Sequence, residues 1–459
     1  MDKYKFDDLQ YLQVSLPEEL LKLKWYGAFK RMEKVIDLKL NKEIPAALKK
    51  RLNLEKEIIK RLPAEYPLTY DQALAICHEN FIDFKDEELE KLQDENGVEW
   101  IFVEGKPQFR ADFFENIIKT RNDYVARLID PGKNVKREAN FKLLDDTISE
   151  IKKYGKLTYH FRLKTGIKLN IDDHDKQVRV HLPLPIENAQ VSNFKLLKTL
   201  PDYQSIDSGD SLTRTIYFES NIDVNKEFYV EYEYDNTIEY QELKAEKVSA
   251  NQPQFYLHEQ APHIVFTPYL KALAKEIVQD ETNNLLKAKK IYEYITTKVN
   301  YSFVRNYFCI PNISEYVALG QKGDCGVQAL LFITLCRIVG VPATWQAGLY
   351  VTDDDIGNHD WARFYVAPYG WLYADCSFGG SAYRNGDLNR WQYYFGHLDP
   401  FRMPACSEYQ FEFNPPKKYL RQDPYDNQTG EAELEDRGLY LKDYEVKLEV
   451  LEIKKIIPE

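Results

Sequence analysis

The sequence predicts an α+β protein of several domains, and three observations support that prediction. Its 459 residues exceed the size of one ordinary domain and suggest about three. Hydrophobic residues make up 44% and charged residues 29% of the chain, which is the balance of a folded globular protein. The spacing of apolar residues changes from about 3.6 to 2 near residue 156 and returns to the helical period after residue 250.

These changes of period divide the chain into four predicted parts. The first is a helical domain at 1–145, and the second is a β-sandwich-like domain at 146–250. The third is a mixed helix and sheet region at 251–400, which contains all the chemistry argued below. A C-terminal extension at 401–459 is predicted to pack on the third part, and its alternating Val446, Leu448 and Val450 predict one closing strand.

The first part carries helix signals but no chemical motif. Pro17 followed by two acidic residues predicts a helix start, because negative charge favours the first turn. Further helices are predicted at 46–62 and 86–94, and alternation around Glu104-Gly105 predicts a small hairpin between helices. We expect this part to pack against the rest or to cover part of a site elsewhere.

The second part alternates apolar and polar residues over several short segments. One such segment runs through Leu157, Tyr159, Phe161 and Leu163, and others follow at intervals set by turn-rich loops. Repeated short alternating segments are typical of antiparallel sandwiches.

Composition and charge exclude several classes of function. The net charge of −12 argues against a nucleic-acid partner. No run of about 18 apolar residues is present, which argues against a membrane-spanning helix, and no apolar leader opens the chain. The six cysteines contain no CxxC pair, so their spacing favours neither a zinc site nor a disulfide scaffold. A reduced, cytoplasmic protein is the expectation, and its oligomeric state stays open.

No cofactor or metal is expected. The run Asp353-Asp354-Asp355 is the best calcium candidate, but three consecutive acidic residues point in different directions and lack the alternating ligand pattern of a calcium loop. A solvated loop is the preferred interpretation.

Cys325 lies where a helix is predicted to begin. The segment GDCG at 323–326 precedes an apolar stripe that ends near Gly340 and Pro342, a glycine cap and a proline stop. Free backbone N–H groups and the helix dipole at such a position favour an anion, so we expect a lowered thiol pKa, with Asp324 opposing it. Cys336, in mid-helix, is expected to be an inert core thiol.

His359 and Asp375 are predicted at one edge of a hairpin. His359 opens a predicted strand that runs to about Ala367, Pro368-Tyr369-Gly370 forms the turn, and the returning strand ends at Asp375. The start of the first strand and the end of the second lie at the same edge, although register is not fixed by sequence. In that arrangement Asp375 accepts from one imidazole nitrogen while the other faces Cys325.

Each of the three residues also has a structural interpretation. A lone cysteine at a helix start, a lone histidine on a strand and an aspartate in a hairpin are each more often structural than catalytic. The order helix cysteine, strand histidine, strand aspartate favours the catalytic interpretation, as nucleophile, base and orienting carboxylate.

The same residues resemble the core of the transglutaminase-like superfamily, which shares its architecture with papain-like cysteine peptidases. The resemblance covers about residues 250–400 and rests on GDCGVQALLFITLCRIVGVPAT, on HDW where H-A-W is commoner, and on GWLYADCSF where G-W-x-x-x-D-P-T is usual. It implies Cys325 as nucleophile, His359 as base and then acid, and Asp375 as orienting residue. Two departures from the pattern are Asp360 after the histidine and Cys376-Ser377 in place of Pro-Thr.

The resemblance implies cysteine-dependent acyl transfer on a peptide or protein substrate that bears an amide. A thioester would form and then be resolved by water or by an amine. Gln321, Tyr301 and Trp361 are candidates for a second oxyanion donor. The alternative is a scaffold of the same fold that has lost turnover and serves as a protein-interaction module.

Overall fold

The structure is a computed structural model that describes residues 6–130 and 133–456. Helices make up 37% and strands 28% of the chain. The predicted α+β class is therefore confirmed.

The N-terminal region is helical with one small sheet. The first α-helix, Glu18–Tyr26, follows Pro17 directly, as predicted. Thr69 caps the helix Tyr70–Asn80 in a reciprocal arrangement, in which its hydroxyl accepts from the backbone of Gln72 and its own N–H donates to the Gln72 side chain. The predicted hairpin is formed by the strands Trp100–Val103 and Lys106–Phe109. The elements are a 3-10 helix (Phe6–Gln13), α1 (Glu18–Tyr26), α2 (Phe29–Leu40), α3 (Ala46–Glu65), β1 (Leu68–Thr69), α4 (Tyr70–Asn80), α5 (Asp86–Asp94), β2 (Trp100–Val103), β3 (Lys106–Phe109), α6 (Phe113–Thr120), α7 (Asn122–Val125) and α8 (Lys133–Tyr154).

Six strands follow, as the alternating pattern predicts. In the last of them, Glu227–Glu239, every second residue is buried over most of the strand, because neighbouring side chains on a strand point to opposite faces. The strands are β4 (Lys156–Leu169), β5 (Gln177–Pro183), β6 (Val191–Leu200), β7 (Ser205–Ile206), β8 (Thr215–Asn221) and β9 (Glu227–Glu239).

The mixed region places helices against a five-stranded antiparallel sheet. A 3-10 turn at Ala245–Lys247 leads into this region. Its first elements are α9 (Pro268–Val278), α10 (Asn284–Lys298), β10 (Asn300–Tyr301), a 3-10 turn (Tyr307–Cys309), α11 (Ile313–Gly320), β11 (Lys322–Gly323) and α12 (Cys325–Ile338). The remaining elements are β12 (Ala343–Val351), β13 (Ile356–Val366), β14 (Gly370–Ala374), α13 (Cys376–Arg384), α14 (Leu388–Tyr393), β15 (Phe395–Gly396) and β16 (Arg402–Cys406). The strand order is β15-β14-β13-β12-β16.

Helix α12 is the central helix of this region. All of its residues from Gly326 to Arg337 are buried, since an almost uninterrupted apolar sequence has no face suited to solvent. Its first residue is held beside β10 because β10 and β11 pair in parallel, with Tyr301 opposite Gly323.

The C-terminal strands belong to the sandwich. The last two strands are β17 (Glu431–Leu434) and β18 (Tyr444–Ile456). They complete two four-stranded sheets with the orders β17-β5-β8-β7 and β18-β4-β9-β6. The predicted closing strand at Val446, Leu448 and Val450 lies on β18, which pairs with β4. Alternation identifies a strand without identifying its partner. The start of the C-terminal extension lies on the mixed region, because β16 pairs with β12.

The buried apolar residues of the described chain form three cores. One continuous core joins the N-terminal 3-10 helix and α1 to α3 with α9 to α12 and the five-stranded sheet. A second core lies between the sandwich sheets, and a third, small one lies among α4 to α7. The N-terminal helices therefore pack directly on the mixed region. Among the described residues, no helix has the length and apolar character needed to cross a bilayer.

Candidate active site

Cys325 is the first residue of α12, as predicted. Asp324 caps the helix, because its Oδ1 accepts from the backbone N–H of Val327 at 3.2 Å. The Tyr307 hydroxyl donates to the same oxygen at 2.6 Å. This turn fixes the position of the thiol at the N-terminus of a buried helix.

Gly326 is required next to the cysteine by close packing. A Cβ at this position would lie 2.1 Å from the Tyr307 hydroxyl and 2.7 Å from Asp360 Oδ2. The glycine therefore lets Tyr307 and Asp360 approach the start of α12. Asp360 Oδ2 lies 3.5 Å from Cys325 Sγ, within contact distance of the thiol.

His359 and Asp375 meet as the hairpin prediction requires. Strands β13 and β14 pair antiparallel with Ala362 opposite Ala374. His359 lies within β13 rather than at its first residue, and Asp375 follows β14 and caps α13. The distance from His359 Nε2 to Asp375 Oδ2 is 2.7 Å. The register of β13 and β14, which the sequence left open, therefore places His359 within hydrogen-bonding distance of Asp375.

Asp375 is held as a carboxylate by several donors. Burial by itself raises its pKa, but the charges of His359 and Arg402 and their hydrogen bonds lower it well below the ordinary value. The Nε and Nη2 atoms of Arg402 donate to Oδ2 at 3.1 and 2.7 Å. Because an ionised carboxylate only accepts, His359 donates to it from Nε2, which leaves Nδ1 as the second imidazole nitrogen.

Arg402 was missed by the sequence analysis. It is fully buried on β16, where it pairs with both Asp375 and Asp399. An arginine within the otherwise apolar segment FRMPAC was the available signal, since a fully buried arginine needs paired charges.

Cys325 and His359 line one cavity of about 760 Å³. Residues from the N-terminal helical region form part of its wall, including the apolar Ile118, Leu128 and Leu143. That region therefore forms part of the cavity that Cys325 and His359 line.

The expected lowering of the Cys325 pKa is not found. Burial, followed by the charges of Asp360 and Asp324, raises the pKa of the thiol well above its ordinary value. The prediction considered the helix N-terminus and Asp324 but not Asp360. Asp360 is far from Cys325 in the sequence, and only the fold brings its carboxyl to the sulfur. Cys336 is fully buried, as predicted, and burial raises its pKa too.

The structure separates the three candidate oxyanion donors. Trp361 is fully buried and donates its indole N–H to Gln346 at 2.8 Å. Gln321 is exposed at the end of α11, and only Tyr301 lines the cavity together with Cys325. Tyr301 is therefore the remaining candidate.

The acidic run at 353–355 is exposed at the same cavity. Within residues 6–130 and 133–456, no group of three or more His, Cys, Asp or Glu side chains is arranged to hold a metal ion. The strand β13 begins at Ile356, so the acidic residues form the loop that leads to His359.

Residues 271–376 match the family model of the Transglutaminase-like superfamily. This segment is similar to the transglutaminase-like core. The match begins within α9 and ends one residue after Asp375, so it contains Cys325, His359 and Asp375. It confirms the resemblance drawn from the sequence.

Two solved structures show a loose similarity to the chain. A protein from Cytophaga hutchinsonii, provisionally described as a cysteine protease, has 14% identity and a TM-score of 0.43, covering 65% of this chain and 91% of that one. The periplasmic domain of TgpA from Pseudomonas aeruginosa has 13% identity and a TM-score of 0.28, covering 53% and 95%. No curated protein sequence matches this chain significantly.

Proposed function

We propose that this protein is a cysteine-dependent acyl transferase that acts on an amide of a peptide or protein. The match of residues 271–376 to the transglutaminase-like family model supports this enzyme class. Hydrolysis and transamidation share the first half of this chemistry, and both are included in the proposal.

One observation carries the proposal. His359 is bound to an ionised Asp375 through Nε2 and lines the same cavity as a cysteine at a helix N-terminus. Asp375 fixes the imidazole orientation and stabilises the imidazolium that forms when Nδ1 accepts a proton.

The reaction follows from these positions. The Cys325 thiol proton passes to His359 Nδ1, and the sulfur attacks the amide carbonyl. The backbone N–H groups at the start of α12, with the Tyr301 hydroxyl, stabilise the oxyanion. Imidazolium then protonates the leaving amine, the C–N bond breaks and a thioester remains. Water or an amine attacks this thioester with His359 again as base, which releases the product and the thiol.

Product masses test the proposal. Peptides carrying internal amides and a side-chain carboxamide are incubated with the protein, with and without a primary alkylamine. We expect cleavage or deamidation in water, or a mass gain equal to amine addition less ammonia. Cys325→Ala should remove every product, while Cys336→Ala, at a buried thiol of the same helix, should retain them. Equal products from wild type and Cys325→Ala would rule the proposal out.

The high thiol pKa favours a second candidate, a scaffold of this fold without turnover. The carboxyls of Asp360 and Asp324 oppose thiolate formation. A protein that only binds a partner needs no thiolate and is not impaired by this. This candidate predicts a fully folded protein that forms no thioester. Acid quenching during reaction with the peptides, followed by mass measurement of the intact chain, separates the two candidates because only the enzyme carries an acyl adduct on Cys325.

A further inference from the structure

Asp360 is a buried carboxyl that the mechanism above does not use. It is 4% exposed. Its Oδ2 lies 3.5 Å from Cys325 Sγ, and its Oδ1 accepts from Gln428 Nε2 at 2.6 Å. Gln428 also donates to the His359 backbone carbonyl at 3.2 Å, so a residue of the C-terminal segment holds this part of the strand. Asp360 therefore contacts the reacting sulfur with a defined orientation.

The groups that face Asp360 are predominantly acidic. Asp324 and the Tyr307 hydroxyl approach from the start of α12 and the neighbouring 3-10 turn, and Asp423 and Asp426 approach from the C-terminal segment.

The nearby cations have other partners. Lys417 and Arg421 are bound to Glu431, and Arg110 is bound to Glu65 and Asp112. Within the part of the chain that the structure describes, none of the four aspartates facing one another forms an ion pair with Lys, Arg or His.

Four neighbouring carboxyls without a paired cation cannot all be ionised. Each unpaired charge is costly to bury, and each raises the pKa of the next. Burial and the charge of Asp324 raise the pKa of Asp360 well above its ordinary value, in agreement with this geometry. The protonated form of Asp360 also has the thiol sulfur within reach of its O–H.

We propose that Asp360 acts as a protonated acid that donates a hydrogen bond to the Cys325 thiolate, so that Asp360 and Cys325 do not ionise together. This rests on Cys325 being the nucleophile proposed above. When the thiol proton passes to His359 Nδ1, Asp360 keeps its own proton and donates it to the sulfur anion. When Asp360 has lost that proton, its carboxylate repels the thiolate, and the nucleophile is disabled. Asp360 is thus a catalytic residue that sets the pH range of thiolate formation.

The test is the pH dependence of Cys325 alkylation by iodoacetamide, located by peptide mass measurement. Asp360→Asn keeps the shape, accepts from Gln428 and donates an N–H to sulfur at every pH. We expect its alkylation midpoint to fall by a pH unit or more, because at pH values where wild-type Asp360 has lost its proton the variant should react at least about 10-fold faster. Asp353→Asn, an exposed acid at the same cavity, should match wild type, and Cys325→Ala gives the zero level.

Two results would overturn the proposal. One is an Asp360→Asn profile that coincides with wild type in a folded protein, and the other is a shift to higher pH. If Asp360→Asn does not fold, Gln428→Ala replaces it. Without the hydrogen bond from Gln428 to its Oδ1, Asp360 favours its neutral form, so alkylation of Cys325 should rise about 3-fold to 10-fold. An unchanged alkylation rate in Gln428→Ala would also contradict the proposal.

Labelling and turnover report on different claims. Iodoacetamide reads the thiol directly and needs no substrate. If the alkylation profile shifts but no Cys325-dependent product forms, the proposed function is contradicted and the coupling between Asp360 and the thiol is supported. If Cys325-dependent products form but the alkylation profile does not shift, the coupling is contradicted and the proposed function is supported.

Discussion

At the scale of single residues, two buried aspartates flank the predicted nucleophile and base in opposite states. Asp375 is bound to His359 and Arg402 and has a lowered pKa, whereas Asp360 faces other carboxyls and has a raised one. The side-chain type is the same, and the charge of the neighbours decides the difference. One carboxyl is therefore suited to orient an imidazole and the other to hold a proton beside sulfur.

Replacing Asp375 by Asn should reduce turnover by about 10³-fold to 10⁴-fold, because an amide does not fix the required imidazole tautomer or stabilise the imidazolium. Loss of one partner of the buried Arg402 should also lower the free energy of unfolding by about 3–5 kcal/mol. Turnover of the peptides and urea unfolding measure the two effects. Asp353→Asn is the control, and a retained rate in Asp375→Asn would contradict the assigned role.

Asp324 gives a pH prediction for stability. Burial raises the pKa of its carboxyl to about 6 in the folded protein, against about 3.9 in an unfolded chain. Between these values the folded state binds more protons, so the free energy of unfolding should fall by about 3 kcal/mol as the pH rises from about 4 to about 6. Urea unfolding at several pH values should show a flatter curve for Asp324→Asn, which keeps the helix cap. Parallel curves for the two proteins would contradict the shift.

At the scale of elements, α12 and the β13–β14 hairpin bring Cys325 and His359 to one cavity and hold Asp375 against His359. The helix is fixed by burial on nearly all sides, and the hairpin is fixed by its register. Neither element holds the site alone, since the cysteine comes from one and the histidine from the other. Loss of packing around α12 should therefore affect both stability and the position of the thiol.

Leu330 tests the packing of α12. Its side chain is fully buried, so Leu330→Ala should lower the free energy of unfolding by about 2–5 kcal/mol. Leu319→Ala removes the same atoms at a position that is 65% exposed on the neighbouring α11, and it should change stability by less than about 0.5 kcal/mol. Chemical denaturation of both variants measures the difference, and equal small effects would mean that α12 is not packed as described.

At the scale of the whole molecule, distant parts of the chain converge on the region that matches the transglutaminase-like family model. The N-terminal helices form part of the cavity wall, and Gln428 reaches the strand of His359 from a segment that precedes the last sandwich strands. Asn116 of α6 joins two of these parts, because it donates to Ser302 Oγ at 2.8 Å and accepts from the Phe303 backbone at 2.9 Å. These bonds lie next to Tyr301, which lines the cavity.

Asn116→Leu should break this connection. It leaves the Phe303 N–H without its acceptor, at a cost of about 1–3 kcal/mol for one unsatisfied group. The Ser302 hydroxyl loses the donor from Asn116 but still donates to the Phe303 carbonyl. Asn389→Leu, at an exposed position of α14, is the matched control with little expected effect. Urea unfolding and the KM for a peptide substrate are the measurements. A rise in KM without loss of kcat is expected if the cavity wall moves, and an unchanged KM and stability would contradict the connection.

Much of the site was predictable because its signals are local. The helix start at Cys325, the two strands of the hairpin and the buried helix follow from apolar period, caps and turn residues within short segments. The mixed class and the family resemblance were confirmed for the same reason. Domain limits were less predictable, since an apolar stripe shows that a helix is packed without showing which part of the chain covers it.

The sequence by itself determined which residues could form a nucleophile, a base and an orienting carboxylate, and on which elements they lie. Only the tertiary structure decided the charge environment of the thiol. Asp360 is separated from Cys325 by 34 intervening residues, and Asp423, Asp426, Arg402 and Gln428 come from segments with no local motif. Burial and charge act through space rather than along the chain, so the state of Cys325 is set by contacts that only the fold brings together.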